Sequence, residues 1–361
     1  MASPANEYRP DYVSPPGDTL EELLEERGMS QAELAERTGR PKKTINEIIQ
    51  GKAAITPETA MQLERVLGTP ASFWLKREQQ YREFLARQDD DQQLGKQVGW
   101  LKSVPWREMV KRGWIEPCDE QVDQLREVLR FFGIAWPNQW EAVTAAFRQS
   151  PAFTADEMAV AAWLRQGERL AQAISCAPYD AAHFRQALQE ARTLSRKEPA
   201  EGFRRLPVLC APAGVAVVIL PELPQTRLCG AARWLTPSKA LIQLSLRYKR
   251  EDQFWFSFFH EAGHILLHGK REAHVDEEQR EHTEKEAEAN RFAADTLIPP
   301  EALRAFLSQR RGNFSQSQVE QFASRLGIAP GIVVGRLQRE QQLPPTHLNG
   351  LKRPLPTQVP Q

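Results

Sequence analysis

Residues 260–264 read His260-Glu261-Ala262-Gly263-His264. Residues four apart on an α-helix lie one above the other on a single face, so the two imidazoles can share one metal ion. Glu261 lies beside them and can take a proton from a water that such a metal polarises. The chemistry implied is metal-assisted hydrolysis of a peptide bond. The flanks are apolar and aromatic, Phe254-Trp255-Phe256-Ser257-Phe258-Phe259 before the motif and Ile265-Leu266-Leu267 after it. They predict a buried helix, where two histidines and a glutamate need partners because unsatisfied polar groups are costly away from water.

A two-histidine site needs a third protein ligand. A glycine at 267 followed by a histidine at 270 would be one solution, and Leu267 and Lys270 exclude it. A glutamate from a later helix is the other. Ala289, Phe292, Ala293, Thr296 and Leu297 recur at helical spacing, and Pro299-Pro300 ends that run. Glu288 lies four residues before Phe292, on the inward stripe, Glu284 one turn earlier, and Glu286 points elsewhere. Glu288 therefore ranks first as third ligand and Glu284 second. Two histidines and a carboxylate suit zinc, one ion per chain, and also accept Mn2+ or Fe2+. His268 continues the histidine stripe and precedes Gly269. It reads as a donor behind the site, as a minor ligand, or as a histidine facing the helix dipole. No residue type singles out an oxyanion donor; Tyr248, His268 and His274 are the side chains to consider.

The run from Gly214 to Pro299 resembles the ImmA/IrrE family of metallo-endopeptidases. The matching pieces are a strand pair, the segment His260 to Gly269 and the segment Glu288 to Pro299, together roughly a quarter of the chain. The resemblance implies a zinc-dependent protease that cleaves a transcriptional repressor, with His260, His264 and Glu288 as ligands and Glu261 as base.

Residues 18–86 carry an independent signal. Leu20, Leu23 and Leu24 give a first helix its inward face, and Gly28 ends it. Ser30 with Glu33 has capping-box spacing for a helix over 31–37. Thr38-Gly39-Arg40 reads as a tight turn, and Pro41 opens a helix running to Gln50. The segment resembles the XRE helix-turn-helix family, and Ile55 to Ala60 with Pro70 to Leu75 resembles its HigA antitoxin branch. By that resemblance the helix from Pro41 to Gln50 enters the major groove of a double-stranded DNA operator. Lys42, Lys43, Thr44 and Asn46 then face bases or phosphates, and Gln31 touches backbone or a base edge. Local charge agrees: Arg37, Arg40, Lys42, Lys43 and Lys52 stand against Glu47 alone over residues 37–52. A homodimer on a near-palindromic site is the expected binding form.

These sites must be held by a chain of 361 residues with 47 basic and 47 acidic side chains, so no overall charge advertises a nucleic acid or a membrane. Four widely spaced cysteines form no disulfide framework and no cysteine-rich metal site, which fits a reducing cytoplasm. The N-terminal residues carry no signal pattern, and no apolar run is long enough to span a membrane. Residues 1–17 and 344–361 read as disordered tails and Gln88 to Lys96 as a linker. Residues 87–205 read as a helical spacer, with Trp100, Trp106, Trp114, Trp136, Trp140 and Trp163 as packing residues. Residues 206–343 read as the peptidase domain. Gly214–Leu220, 230–234 and 240–246 predict a small antiparallel sheet ahead of the histidine helix, with 240–246 as the edge for an extended substrate. Residues 315–337 predict a second helix-turn-helix in a helical tail. The fold class is α+β and multi-domain: an all-α lambda-repressor-like unit, a helical spacer, and a zincin-like domain. Its protein substrate is a repressor, an antitoxin or the chain itself, and a toxin is a further candidate partner. The competing reading is a non-enzymatic HigA-like antitoxin and autorepressor whose peptidase fold senses or binds a partner.

Overall fold

The computed structural model of the chain describes residues 12–140, 157–224, 226–269, 283–308 and 314–356, and the backbone of 274–277. The chain divides into two compact units, Met1–Gly99 and Trp100–Gln361.

The first unit holds five helices: α1 (Pro16–Glu26), α2 (Gln31–Thr38), α3 (Lys42–Ile49), α4 (Pro57–Leu67) and α5 (Ala71–Gly95). Ser30 Oγ accepts the Glu33 amide at 3.1 Å and starts α2. Gly39, at φ 68°, ends it in the left-handed region that a side chain disfavours. Leu20, Leu34, Ile45, Ile48, Leu63 and Trp74 close one apolar core. The first turn of α1 presses on the end of α3, where a Cβ on Gly17 would stand 2.2 Å from the Ile49 carbonyl oxygen. Two sequence readings need correction here. Residues 12–17 are not a loose tail, because α1 begins at Pro16 and Arg77 donates to Ser14 Oγ at 2.7 Å; residues 1–11 lie outside the described residues. The expected linker, Gln88 to Lys96, continues α5 as far as Gly95.

In the second unit, α6 (Trp106–Lys111), α7 (Gln121–Phe132), α8 (Glu157–Ala173), α9 (Ala181–Leu194) and α10 (Pro199–Cys210) precede β1 (Val215–Ile219), β2 (Leu228–Thr236) and β3 (Lys239–Leu244). Then come α11 (Glu251–Leu267), β4 (His274–Glu277), α12 (Glu284–Leu297), α13 (Pro300–Ser308), α14 (Gln316–Leu326) and α15 (Pro330–Arg339). The strand order is β1-β3-β2-β4. β3 runs parallel to β1 and antiparallel to β2, and β2 pairs antiparallel with β4. The sheet is thus mixed, and residues 240–244 form an inner strand rather than the expected edge. Continuous burial along β1 fits a strand covered on both faces.

One apolar core joins α9 and α10 to the sheet, α11, α12, α14 and α15: Phe184, Leu188, Phe203 and Leu206 share it with Val217, Ile242, Phe258, Ala293, Phe322 and Val334. The boundary read at 205/206 is therefore not a break in packing. Three of the tryptophans pack against aromatic rings: Trp114 stacks on Phe131, Trp140 lies edge-on to Phe132, and Trp100 lies edge-on to both Phe132 and Trp140. The Trp163 indole, fully buried, donates to the Leu220 carbonyl at 2.9 Å. The second helix-turn-helix, α14–α15, buries Val319, Phe322, Val333, Val334 and Leu337 in this core. Residues 344–356, read as tail, are bound to the unit: Lys352 pairs with buried Asp252 at 2.7 Å, and Arg353 pairs with buried Glu251 at 2.5 Å. Residues 357–361 lie outside the described residues. Among the described residues no helix is long and apolar enough to cross a membrane.

Candidate metal centre

α11 is buried on almost every side, as its aromatic sequence implied. His260 and His264 are each 2% exposed and Glu261 is wholly enclosed. α12 packs against this helix where both carry small residues. A Cβ on Gly263 would stand 3.2 Å from the Ala289 Cα, so the two backbones approach closely there. One turn before Ala289, the side chain of Glu286 reaches the histidines. Its carboxylate oxygens lie 3.2 Å from His260 Nε2 and 3.6 Å from His264 Nε2, and the two Nε2 atoms are 3.0 Å apart.

The carboxylate beside the two histidines is thus Glu286, not the expected Glu288 or Glu284. Glu286 lies in line with buried Ala289, Ala293 and Leu297. Glu284 is exposed, and Glu288 is half-exposed with its carboxylate 3.2 Å from His268 Nε2. Among the described residues, His260, His264 and Glu286 form a group that could hold a metal ion, with ligand atoms all within 4.8 Å of one another. A tetrahedral zinc with bonds of about 2.0–2.1 Å sets its ligand atoms about 3.3 Å apart. The three observed separations bracket that value, and two imidazoles with one carboxylate are a zinc donor set. The residues fit the ion.

Outer contacts orient both rings. His260 Nδ1 donates to Asn290 Oδ1 at 3.2 Å, which leaves the Nε2 lone pair facing the cluster. His264 Nδ1 meets His268 Nδ1 at 2.8 Å. Burial pushes the His264 pKa down to about 4, against the opposing pull of Glu286, so the ring is neutral at neutral pH. Neutral imidazole is the form that binds metal. The Glu261 carboxylate faces β2, where Gly230 makes room: a Cβ there would stand 2.5 Å from Glu261 Oε1. Of the side chains considered for an oxyanion donor, Tyr248 has its hydroxyl 3.8 Å from Cys229 Sγ, and His268 engages His264. The His274 side chain lies outside the described residues. Sequence reading turned Glu286 away from the site and gave no role to Asn290 or Gly230. Counting back from Ala293 in steps of three and four reaches Ala289, Asn290 and Glu286, so two of them were within reach.

In the first unit, Lys42 and Lys43 are exposed at the start of α3, and Thr44, Asn46 and Gln31 are half-buried. Ile45, Ile48 and Ile49 turn inward and hold this helix to the core. Asn46 Oδ1 accepts from Gln50 at 3.3 Å, and Lys43 lies 3.7 Å from Glu47. The five residues read for DNA contact thus lie at the beginnings of the second and third helices.

Comparison with known proteins assigns both ends of the chain. Residues 20–74 match a family described as helix-turn-helix, and residues 226–338 match the IrrE N-terminal-like domain. The uncharacterized HTH-type transcriptional regulator YddM of Escherichia coli is 38% identical over 60 residues, 17% of this chain and 64% of that protein. Virulence-associated protein I of Dichelobacter nodosus is 33% identical over 89 residues, 25% of this chain and 82% of that protein. The chain spans less than two thirds of the length of the first two curated relatives, 64% and 58%. Among solved structures, an addiction module antidote protein of a HigA family from Coxiella burnetii is 30% identical, with a TM-score of 0.22 over 23% of this chain and 92% of that one. The chain thus carries an XRE-type helix-turn-helix domain over residues 20–74 and a match to the IrrE N-terminal-like domain over residues 226–338.

Proposed function

We propose that this protein is a DNA-binding transcriptional regulator whose second unit is a zinc-dependent endopeptidase, with one ion per chain and Mn2+ or Fe2+ as substitutes. The observation that carries the reading is the buried His260–His264–Glu286 cluster with Glu261 on the same helix. When bound, zinc supplies a Lewis acid beside the scissile carbonyl and makes water acidic enough to lose a proton near neutral pH. Glu261 takes that proton and delivers it to the leaving amine. Asn290 holds His260 with its Nε2 towards the cluster.

Gln31, Lys42, Lys43, Thr44 and Asn46 are the residues we assign to a double-stranded operator, bound by a homodimer. The protein substrate is a repressor, an antitoxin or the chain itself, and its cleavage relieves repression. Cys118, Cys176, Cys210 and Cys229 are all free thiols, which supports a cytoplasmic location. The test is Glu261→Gln. It should keep its metal and its operator affinity and lose peptide hydrolysis by about 10²–10⁴-fold. A variant that relieves repression in cells as wild type does would remove proteolysis from the function. The second unit would then be a platform for a toxin or another partner, and the protein a non-enzymatic autorepressing antitoxin.

A further inference from the structure

Beyond the three ligands, a second row of polar groups leads away from His264. α11 ends at Leu267, and His268 leaves it with extended backbone, at φ −110° and ψ 164°. The His268 side chain folds back and is only 3% exposed. Its Nδ1 meets His264 Nδ1 at 2.8 Å, and its Nε2 meets the Glu288 carboxylate at 3.2 Å. Two imidazole nitrogens this close, with no ion between them, must be a donor and an acceptor; His260 Nε2 and His264 Nε2, 3.0 Å apart, can both present lone pairs once an ion lies between them.

Glu288 decides which is which. Its carboxylate accepts, so a neutral His268 carries its proton on Nε2 and presents a bare Nδ1. Against that acceptor His264 must carry its proton on Nδ1. Its Nε2 lone pair is then the one left facing His260 and Glu286. We infer that Glu288 and His268 are positioning residues that select, through two successive hydrogen bonds, the metal-binding tautomer of His264. Asn290 performs the same task for His260 in one step. The two ligands are thus oriented from opposite sides of α12, by an amide at residue 290 and a carboxylate at 288. A carboxylate behind a ligating imidazole also raises its basicity, and here an intervening ring relays that effect. The tautomer half of this inference stands on the protein alone; the metal half rests on the proposed zinc site.

The experiment uses the full chain labelled with ¹⁵N at its seven histidines. Long-range ¹H–¹⁵N spectra at neutral pH, with metal removed, report which nitrogen of each ring is protonated. Wild type should show His264 protonated on Nδ1 and His268 on Nε2. Glu288→Leu should release the His268 preference. His268→Phe should release that of His264 and weaken zinc by about 10–100-fold in a competition titration. His268→Asn, which restores an acceptor near the Nδ1 position, should recover most of both. His264 protonated on Nε2 in wild type would overturn the inference, as would a His268→Phe protein with native tautomer and native zinc affinity. A wild-type protein that binds no zinc would instead sink the metal reading, and the spectra would still decide the tautomers.

Discussion

Glu286 and Glu288 are two residues apart, which on a helix is about 200° of rotation. That rotation gives them different partners. Glu286 is 5% exposed and faces both histidines, and Glu288 faces His268 at the helix rim. The sequence reading placed Glu288 on the inward stripe by counting four residues back from Phe292. The structure centres that stripe on Ala289 and Ala293, which are fully buried. Small residues mark where two helices come closest, and a carboxylate one turn away then reaches across. Glu286→Ala should therefore lower zinc affinity by more than the roughly 10–100-fold typical of an outer partner, and Glu288→Ala by no more than that. Competition titrations on the two variants check this ordering. An equal loss in both would contradict the assignment of Glu286 as ligand.

At the scale of elements, β2 walls in the Glu261 carboxylate. Gly230 lies in this strand, between its pairings to β3 and β4, and lets the wall of the site lie flush against Glu261. Gly230→Ala should displace that carboxylate and leave the histidines in place. A displacement of about 1 Å costs on the order of 10²-fold in rate. The expected result is a metal-loaded protein with that loss of hydrolysis; unchanged turnover would mean that Glu261 is not positioned by the strand. In the first unit α3 plays the comparable part, with its isoleucines inward and its polar residues outward. Lys43→Ala with Asn46→Ala should abolish discrimination of the operator from random DNA, each good base contact being worth about 1–3 kcal/mol. The dependence of binding on salt should also flatten, by about one unit of log–log slope for each lost phosphate contact. Fluorescence anisotropy across a salt series measures both effects. Undiminished operator preference would move the reading surface elsewhere.

For the molecule as a whole, the residues near the C-terminus matter to the metal helix. Glu251 and Asp252 begin α11, and each is buried against a cation from the closing segment. Burial raises the Glu251 pKa and the Arg353 guanidinium opposes that shift, so the carboxylate depends on its partner to stay charged. Removing one member of a buried pair costs about 3–5 kcal/mol. Deleting residues 345–361 should therefore lower the unfolding free energy of the second unit by at least that order, read by urea denaturation. A truncated protein of native stability would show that these pairs contribute little.

The sequence by itself determined the histidine helix with Glu261 beside its histidines, and the helix-turn-helix with its cap at Ser30 and turn at Gly39. All of these rest on spacing within a few residues, where helix geometry leaves little choice. What lay far apart in the chain was decided only by the tertiary structure. β3 became an inner strand because β1 pairs with it from the side that the hairpin leaves open. Residues 344–356, expected to belong to a loose tail, are held by two buried carboxylates about a hundred positions earlier. Glu286 was chosen over Glu288 by the close approach of Gly263 to Ala289. Periodicity says that a helix has an inward face; only packing against a particular neighbour says which residue stands at its centre.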